Sequence, residues 1–595
     1  MIRLADYIFS ELQSKHGLTH VFMVTGRGAL FLTDAVAANK NITPVCMHHE
    51  QGAAFAAVAY AQQSDQISAC LVSTGCASTN TVTGVLNAWQ DGLPVIFISG
   101  QNKLNETSRH TGIPLRTFGQ QEADIVSLVS GITKYATMIT DPTRIGYELG
   151  KALYLANDGR KGPVWLDIPL DVQNMRVDPI NLELFIQEST NTYGCSNDDV
   201  EYVANELSKA ERPVLLIGNG IRSASAESEL EELASMLQIP VTYSGSSPDI
   251  YPLENELSIG SVGIMGCSRA GNFAVQNSDL LLVLGSRLST MTTDSDKCKF
   301  ARSSNVIVVD IDEVEHSKNI VRVDRFIKSD VRVFINRLKE RKLQEISTAW
   351  KDKCFHWKSI FPKFEQSFLN PEKVDIYHLT KVFSEILPED ASVVTDSGLT
   401  ELILPTNLNF RNNRRCIHPA SQGSMGYALP AVVGAYFSSG GPVISVVGDG
   451  SIMMNLQELQ TISFLNIPAK IFVINNNAYA IIRKRQKDLF RRRTIGTDPG
   501  DGVGCPDFSK VADAFEFKFK KIEDAHNLEE NISDVLNTEG PVLCEVIGYE
   551  DQDYITTSYV KTEGKRFAYR PLEDQAPFLD RELFLKEMII EPIDQ

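Results

Sequence analysis

Val443-Ile444-Ser445-Val446-Val447-Gly448-Asp449-Gly450-Ser451 is an apolar run that breaks into a carboxylate between two glycines. Asn476 follows Asp449 by 27 positions, after a second apolar run, Lys470-Ile471-Phe472-Val473-Ile474, has broken into Asn475-Asn476-Asn477. Each run has the length and β-branched content of a buried strand, and the stretch between them is long enough for a helix, which predicts a parallel strand–helix–strand unit. Open sheets of this kind bind ligands beyond the C-terminal ends of their strands. The glycines let the backbone approach a diphosphate, and the following helix offers its N-terminus to negative charge. Asp449 and Asn476 bring hard oxygens from two strand ends, a donor set that suits magnesium beside phosphate. A lone Gly-Asp-Gly is an ordinary turn. The distance to the asparagine run is what sets this one apart.

Outward from this unit, the same alternation fills the chain. Further strands at 392–395 and 541–547 complete a block over 373–548. An earlier block, 198–342, repeats the pattern with apolar runs at 214–217, 280–285 and 306–312. The first block, 1–175, does so with runs at 20–25, 43–46, 68–73 and 93–99, closing on Gly162-Pro163-Val164-Trp165-Leu166-Asp167-Ile168-Pro169. Residues 176–199 read as linker and 343–374 as a mostly helical crossing segment. Residues 549–595 read as a C-terminal arm over the body, with 554–571 placed to act as a lid. The fold class is therefore α/β, with three doubly wound parallel-sheet domains.

Composition agrees with a globular protein. In 595 residues, 43% are apolar and 22% charged, enough for several cores. The formal charge of −18 argues against nucleic acid as partner, which would need a basic face. No run of about 18 apolar residues predicts a membrane span. The ten cysteines include no Cys-x-x-Cys pair and several sit in apolar runs, so reduced thiols in a cytoplasmic protein are expected.

The Gly-Asp-Gly and Asn-Asn spacing resembles that of thiamine-diphosphate-dependent enzymes. In that family the metal is held by the Asp, the second Asn and a backbone carbonyl two residues on, which implies Asp449, Asn476 and Ala478 as ligands of Mg²⁺ here. The family also needs a Glu at N1′ of the aminopyrimidine, so that the 4′-nitrogen can take the proton from thiazolium C2. Met47-His48-His49-Glu50-Gln51-Gly52-Ala53-Ala54 supplies it in Glu50, at the start of a small-residue helix. Such a Glu can also serve merely to stabilise a helix dipole. Beyond these motifs, His49 to Ala54, Gly75-Cys76-Ala77-Ser78-Thr79-Asn80, Ile98-Ser99-Gly100-Gln101 and the Gly162 to Gln173 stretch look like the large subunit of acetolactate synthase. So does Gly423-Ser424-Met425-Gly426-Tyr427-Ala428-Leu429-Pro430. The resemblance covers nearly the whole chain and names the domains pyrimidine-binding, central and diphosphate-binding. It implies cofactor contacts from Thr25, Thr74, Asn80, Gly423, Met425, Gly448, Asp449, Gly450, Ser451, Asn476, Ala478 and Ile481, with Met425 as the wedge under a bent cofactor. Plain core filling is the other use of such a Met. The resemblance also implies a homodimer or homotetramer with active sites between subunits, and small-molecule substrates.

Four departures bear on substrate. The synthase's Trp after the Asn run is Arg485. Its Gly-Gly-Ala loop reads Gly26-Arg27-Gly28, its Phe-Gln reads Gln120-Gln121, and its Gln-His pair near the diphosphate is Leu399-Thr400. Arg27 and Arg485 read either as solvated surface charges or as a cationic acceptor pocket suited to carboxylate or phosphate. The pattern resembles acetolactate-synthase-like proteins of surface-polysaccharide pathways, some of which transfer two carbons from pyruvate to a nucleotide-linked keto-sugar. In the central domain the synthase binds FAD. Arg287 and Asp310-Ile311-Asp312 are kept, but Ser289-Thr290-Met291 replaces an acidic–acidic–Arg run and Met265 replaces a His, which speaks against FAD. The expectation is a thiamine-diphosphate-dependent lyase or transferase, a carboligase in which Glu50 activates the cofactor and Gln121 and Gln120 orient substrate. Acetolactate synthase proper, a non-ligating decarboxylase or C–C hydrolase, and a cofactor-holding regulatory relative are the alternatives.

Overall fold

The structure is a computed structural model and describes all residues except 188–192, 295, 297, 362–364, 412, 562–566 and 594–595. It contains three six-stranded sheets, each wholly parallel. In the first domain the strands run, edge to edge, Thr43–Cys46, His20–Met23, Ser68–Val72, Val95–Gln101, Val164–Pro169 and Tyr135–Met138. In the third they run Arg415–Ile417, Ser392–Thr395, Val443–Gly448, Lys470–Asn475, Val542–Ile547 and Lys518–Ile522. Counting strands along the chain, both sheets have the order 2-1-3-4-6-5. The central sheet differs. It runs Ser258–Val262, Val241–Ser244, Pro213–Ile217, Leu280–Leu284, Asn305–Asp310 and Arg325–Lys328, the order 3-2-1-4-5-6 of dinucleotide-binding folds.

The two outer domains meet through equivalent helices. Glu50–Ser64 follows the second strand of the first domain, and Ala428–Ser439 follows the second strand of the third. Their sequences are rich in Ala and Gly, so the backbones come close: a Cβ on Gly434 would lie 2.1 Å from the Ala56 carbonyl oxygen. Phe55 packs edge-on against Tyr427 with ring centroids 5.3 Å apart. Ala53 to Ala59 and Tyr427 to Val433 thus belong to one apolar core that continues across the domain boundary. All three domains are tied at one buried ion network. Asp249 of the central domain accepts from Arg415 at 2.9 Å and pairs with Arg222 at 3.2 Å, while both arginines also face Asp65 of the first domain.

The linker expectation is corrected at both ends. Arg176–Val177 pairs with Ile2–Arg3 as a small antiparallel ribbon, so the first domain keeps two residues assigned to linker, and 197–199 begin the helix Asn197–Lys209. Residues 188–192 of that linker lie outside the described set. The crossing segment contains the helix Thr348–Ile360. The C-terminal arm lies on the central domain. The Gln575 carbonyl accepts from Arg269 Nη1 at 3.1 Å, and Gln276 Nε2 donates to Glu573 at 2.6 Å. Glu587 sits between Lys353 and Trp357 Nε1. The start of the expected lid is fixed structure, because Tyr554 and Ile555 are buried and Thr556–Thr557 pairs with Gln575–Ala576. Residues 562–566 of it are outside the described set. All ten cysteines are free. Among the described residues no helix is long and apolar enough to cross a membrane.

Candidate active site

Asp449 stands just past the strand Val443–Gly448, and Asn476 just past its neighbour Lys470–Asn475, so the sheet delivers both to one edge. Asp449 Oδ1 accepts from Gly450 N at 2.7 Å and Oδ2 from Asn477 N at 2.6 Å. It is 4% exposed, and burial pushes its pKa up to about 6 despite these backbone donors. No ion pair involving it occurs among the described residues. A buried carboxylate without a cation, beside the Asn476 amide oxygen and the Ala478 carbonyl, is a donor set that fits a divalent metal and a diphosphate. Ser451 Oγ accepts from Gly426 N at 3.0 Å and donates to Asp396 Oδ2 at 2.6 Å, which ties the diphosphate turn to the Gly423–Met425 segment. Gly423 has φ +59° and rests near the Glu401 carboxylate. Ile481 opens the helix Ala480–Leu489 next to this edge. Asp449, Gly450, Asn476 and Ala478 thus meet at this edge, and Ser451 bonds it to Gly426.

On the first domain, His49 caps the helix Glu50–Ser64, its Nδ1 accepting from Gln51 N at 3.1 Å, which fixes Glu50 at the first helical position. Asn80 Nδ2 donates to Glu50 Oε2 at 2.9 Å. Asn80, expected as a cofactor contact, thus holds the carboxylate expected to act. Thr74 is buried and donates to Gln101 Oε1 at 2.5 Å, and Gln101 in turn donates to Asp167 Oδ2 at 3.1 Å. Gln121 has φ +59° and its carbonyl oxygen crosses Gly75 so closely that a Cβ there would lie 1.7 Å away. Gly75, at φ +65°, has both the room and the backbone freedom this crossing needs. Gln120 is reached from the glycine loop by Arg27, whose Nη1 donates to Gln120 Oε1. Thr25 is exposed and makes no side-chain hydrogen bond among the described residues.

Arg485 is far from Arg27 in sequence and lies on another domain. Its Nη2 is 3.9 Å from Met265 Sδ. The departures thus form two contacting pairs: Arg27 with Gln120, and Arg485 with Met265. Thr400 only turns back on its own helix, its Oγ1 donating to the Asp396 and Ser397 carbonyls. Among the described residues no hydrogen bond joins Glu50, Asn80, Gln120 or Gln121 to Asp449, Asn476 or Gly423, so each half-site is built separately.

Sequence reasoning missed Asp396 and Asn455. Asp396 follows the strand Ser392–Thr395, is fully buried, and has its pKa pushed up to about 7 by burial. Its signal was a carboxylate at a strand end, in Thr395-Asp396-Ser397-Gly398. Asn455 donates to Gly426 O at 2.8 Å and to Gln51 Oε1 at 3.1 Å, bridging the two outer domains, and carried no signal.

The central sheet opens at its switch point into a cavity of 390 Å³, lined by residues of all three domains. Ser286, Arg287 and Asp310 line its central-domain side. This half fits the ribose and phosphates of a nucleotide. The inner end brings Asp91, Glu401 and His418 together, with burial raising the pKa of both carboxyls. Of FAD, these residues fit the nucleotide half.

Comparison with known proteins gives three domain matches that divide the chain as the structure does. Residues 2–128 match the thiamine pyrophosphate enzyme N-terminal TPP binding domain, 200–338 the central domain and 396–546 the C-terminal TPP binding domain. The chain is 30% identical over 560 residues to the acetolactate synthase large subunit of Porphyra purpurea, covering 90% of this chain and 91% of that one. It is 29% identical to the acetolactate synthase large subunit of Lactococcus lactis subsp. lactis (strain IL1403), over 89% and 90% of the two chains. It is also 29% identical to acetolactate synthase 1, chloroplastic, of Zea mays, over 91% and 85%.

Proposed function

The chain belongs to the thiamine pyrophosphate enzymes, and from that premise we propose that it is a carboligase which decarboxylates a 2-ketoacid, pyruvate, and transfers the two-carbon unit to the carbonyl of a nucleotide-linked keto-sugar. Bound thiamine diphosphate supplies the nucleophilic carbon and the electron sink that accepts the pair when carbon dioxide leaves. Asp449, Asn476 and the Ala478 carbonyl would hold Mg²⁺, and the Gly448–Ser451 turn would bind the diphosphate beside it. Gly423 and Met425 seat the pyrimidine. Glu50, steadied by Asn80, holds the proton at N1′ of that ring. Gln121 orients the donor through hydrogen bonds from the loop locked over Gly75. Water must be excluded while the acceptor is awaited.

Among the described residues no hydrogen bond joins Glu50 or Gln121 to Asp449 or Asn476 within one chain, and each group is flanked by exposed apolar side chains: Ile113, Leu115 and Phe118 on the first domain, Met453 and Met454 on the third. This supports a homo-oligomer whose active sites join the first domain of one copy to the third domain of another. Ten free cysteines support a cytoplasmic setting.

The observation that carries the acceptor assignment is the pair Arg27–Gln120. A cation and an amide stand together where an acetolactate synthase resemblance leads one to expect Gly and Phe, which favours a polar, anionic acceptor over a second pyruvate. Carbon-13 NMR of the protein with thiamine diphosphate, Mg²⁺ and labelled pyruvate tests this. Little acetolactate alone, with a branched product when a keto-sugar nucleotide is added, is the expected result. Rapid acetolactate formation from pyruvate alone overturns it in favour of the synthase reading, which the similarity to acetolactate synthases supports.

A further inference from the structure

The central cavity is separate from the diphosphate turn at Asp449, yet it reaches the Gly423 segment. Three observations bear on its occupant. It lies at the switch point of a 3-2-1-4-5-6 sheet, between the ends of Pro213–Ile217 and Leu280–Leu284, where such folds take nucleotides. Arg287, on its wall, has no ion-pair partner among the described residues, and its charge is felt by Asp91 at the inner end. His418 is 4% exposed and lines the inner end; its Nδ1 faces Glu401 Oε1 at 3.6 Å, and its Nε2 has no hydrogen-bond partner among the described residues. A buried imidazole with an unpartnered Nε2 is costly unless something polar enters to satisfy it.

Met265 forms part of the wall of the same cavity, and the Arg485 guanidinium rests on its sulfur. Arg485 lies on the helix that begins two residues after the Ala478 carbonyl of the metal site. The cavity therefore has a nucleotide-type end at Ser286–Arg287 and Asp310, and a far end walled by Met265 and Gly423, toward the catalytic machinery.

We propose that this central cavity holds the nucleoside diphosphate of the acceptor, with Arg287 and His418 on the diphosphate and Asp310 accepting from the ribose, so that the keto-sugar is directed past Met265 and Arg485 toward the cofactor. This inference rests on the reading of the acceptor as nucleotide-linked. It gives the central domain a substrate role in place of a flavin one, and makes Arg485 a guide at the inner end. A guanidinium and an imidazole suit a diphosphate, which Arg can grip with two parallel hydrogen bonds.

The test is calorimetric titration of the holoenzyme, preloaded with thiamine diphosphate and Mg²⁺, with UDP, ADP and dTDP separately. The expected result is saturable binding of at least one of them, one per chain, weakened tenfold or more in Arg287→Ala and less in Arg287→Lys, and unaffected by excess thiamine diphosphate. His418→Asn gives an independent loss if an arginine variant fails to fold. No binding by any of the three, binding abolished by thiamine diphosphate, or purified protein that carries stoichiometric flavin (absorbing near 450 nm) at this cavity each overturns the proposal. Its failure is distinguishable from failure of the functional reading. Turnover of a keto-sugar nucleotide without Arg287-dependent diphosphate binding sinks the cavity assignment alone, whereas Arg287-dependent binding without transfer to any keto-sugar sinks the acceptor reading alone.

Discussion

Asn80 Nδ2 lies 2.9 Å from Glu50 Oε2, so the carboxylate that begins the helix Glu50–Ser64 is already oriented by a residue from the next strand–helix turn of the same domain. This leaves Glu50 Oε1 for a ligand. Glu50→Gln keeps the shape and the Asn80 contact but loses the proton-holding group. Carbon dioxide release from pyruvate is expected to fall by about 10²- to 10⁴-fold, the usual span for a lost acid–base residue, with thiamine diphosphate still bound. Retained turnover would remove Glu50 from the mechanism.

Asp449→Asn removes the buried charge proposed to hold the metal. In fluorescence titrations with Mg²⁺ present, thiamine diphosphate affinity should weaken at least about tenfold, or ~1.4 kcal/mol. An unchanged affinity would place the metal elsewhere.

Arg27 and Gln120 touch, so their replacements should not act independently. Changing them to the residues expected of a synthase, Arg27→Gly and Gln120→Phe, is expected to show a coupling of about 0.5–3 kcal/mol in a double-mutant cycle on kcat/KM for an anionic acceptor. The double variant should also release more acetolactate from pyruvate alone. Additive effects would make the two residues bystanders.

Gly434→Ala places a methyl group 2.1 Å from the Ala56 carbonyl oxygen, with backbone rather than a movable side chain in the way. The two outer domains must part slightly. A loss of about 1–3 kcal/mol, read from denaturant unfolding, is expected.

Buried carboxyls set the pH dependence of stability. Burial holds Asp167 and Asp375 protonated, with their pKa values pushed up to about 7, beyond what their hydrogen-bond donors offset. In the unfolded chain such a group ionises near pH 4. Between those values the folded state binds more protons, so stability falls as pH rises from about 4 to about 7. Asp249 has the opposite sign. Burial raises it, but Arg222 and Arg415 outweigh burial and leave it below the usual carboxylate range, so its contribution is present above about pH 4 and lost below. Asp167→Asn should therefore lose ground to the unmodified protein as pH is lowered from 8 to 5. Melting temperatures of the two that run parallel over that range would contradict the assignment.

The reading of three parallel sheets was available in the sequence because their central strands are uninterrupted apolar runs. Of the edge strands only Thr43–Cys46 was. Lys518–Ile522 reads Lys-Phe-Lys-Lys-Ile and Arg325–Lys328 carries a cation at each end, so both look like loop. Charges on edge strands discourage pairing with other chains, and the same charges hide the strand from a periodicity argument. Val241–Ser244 and Ser258–Val262 were hidden by Thr, Ser and Gly. In the candidate site, Asp449, Asn476 and Glu50 were legible because each sits at a strand end or helix start fixed by local sequence. The pairs Arg27–Gln120 and Arg485–Met265 were not, since they depend on how a loop crosses Gly75 and on how the C-terminal segment carries Thr556 against Met265.

The outer sheets share one strand order, and they meet helix to equivalent helix. The same topology thus occurs twice in a single polypeptide, once carrying Glu50 and once carrying Asp449. A change in the Ala- and Gly-rich seam therefore alters the angle between the domain that carries Glu50 and the domain that carries Asp449.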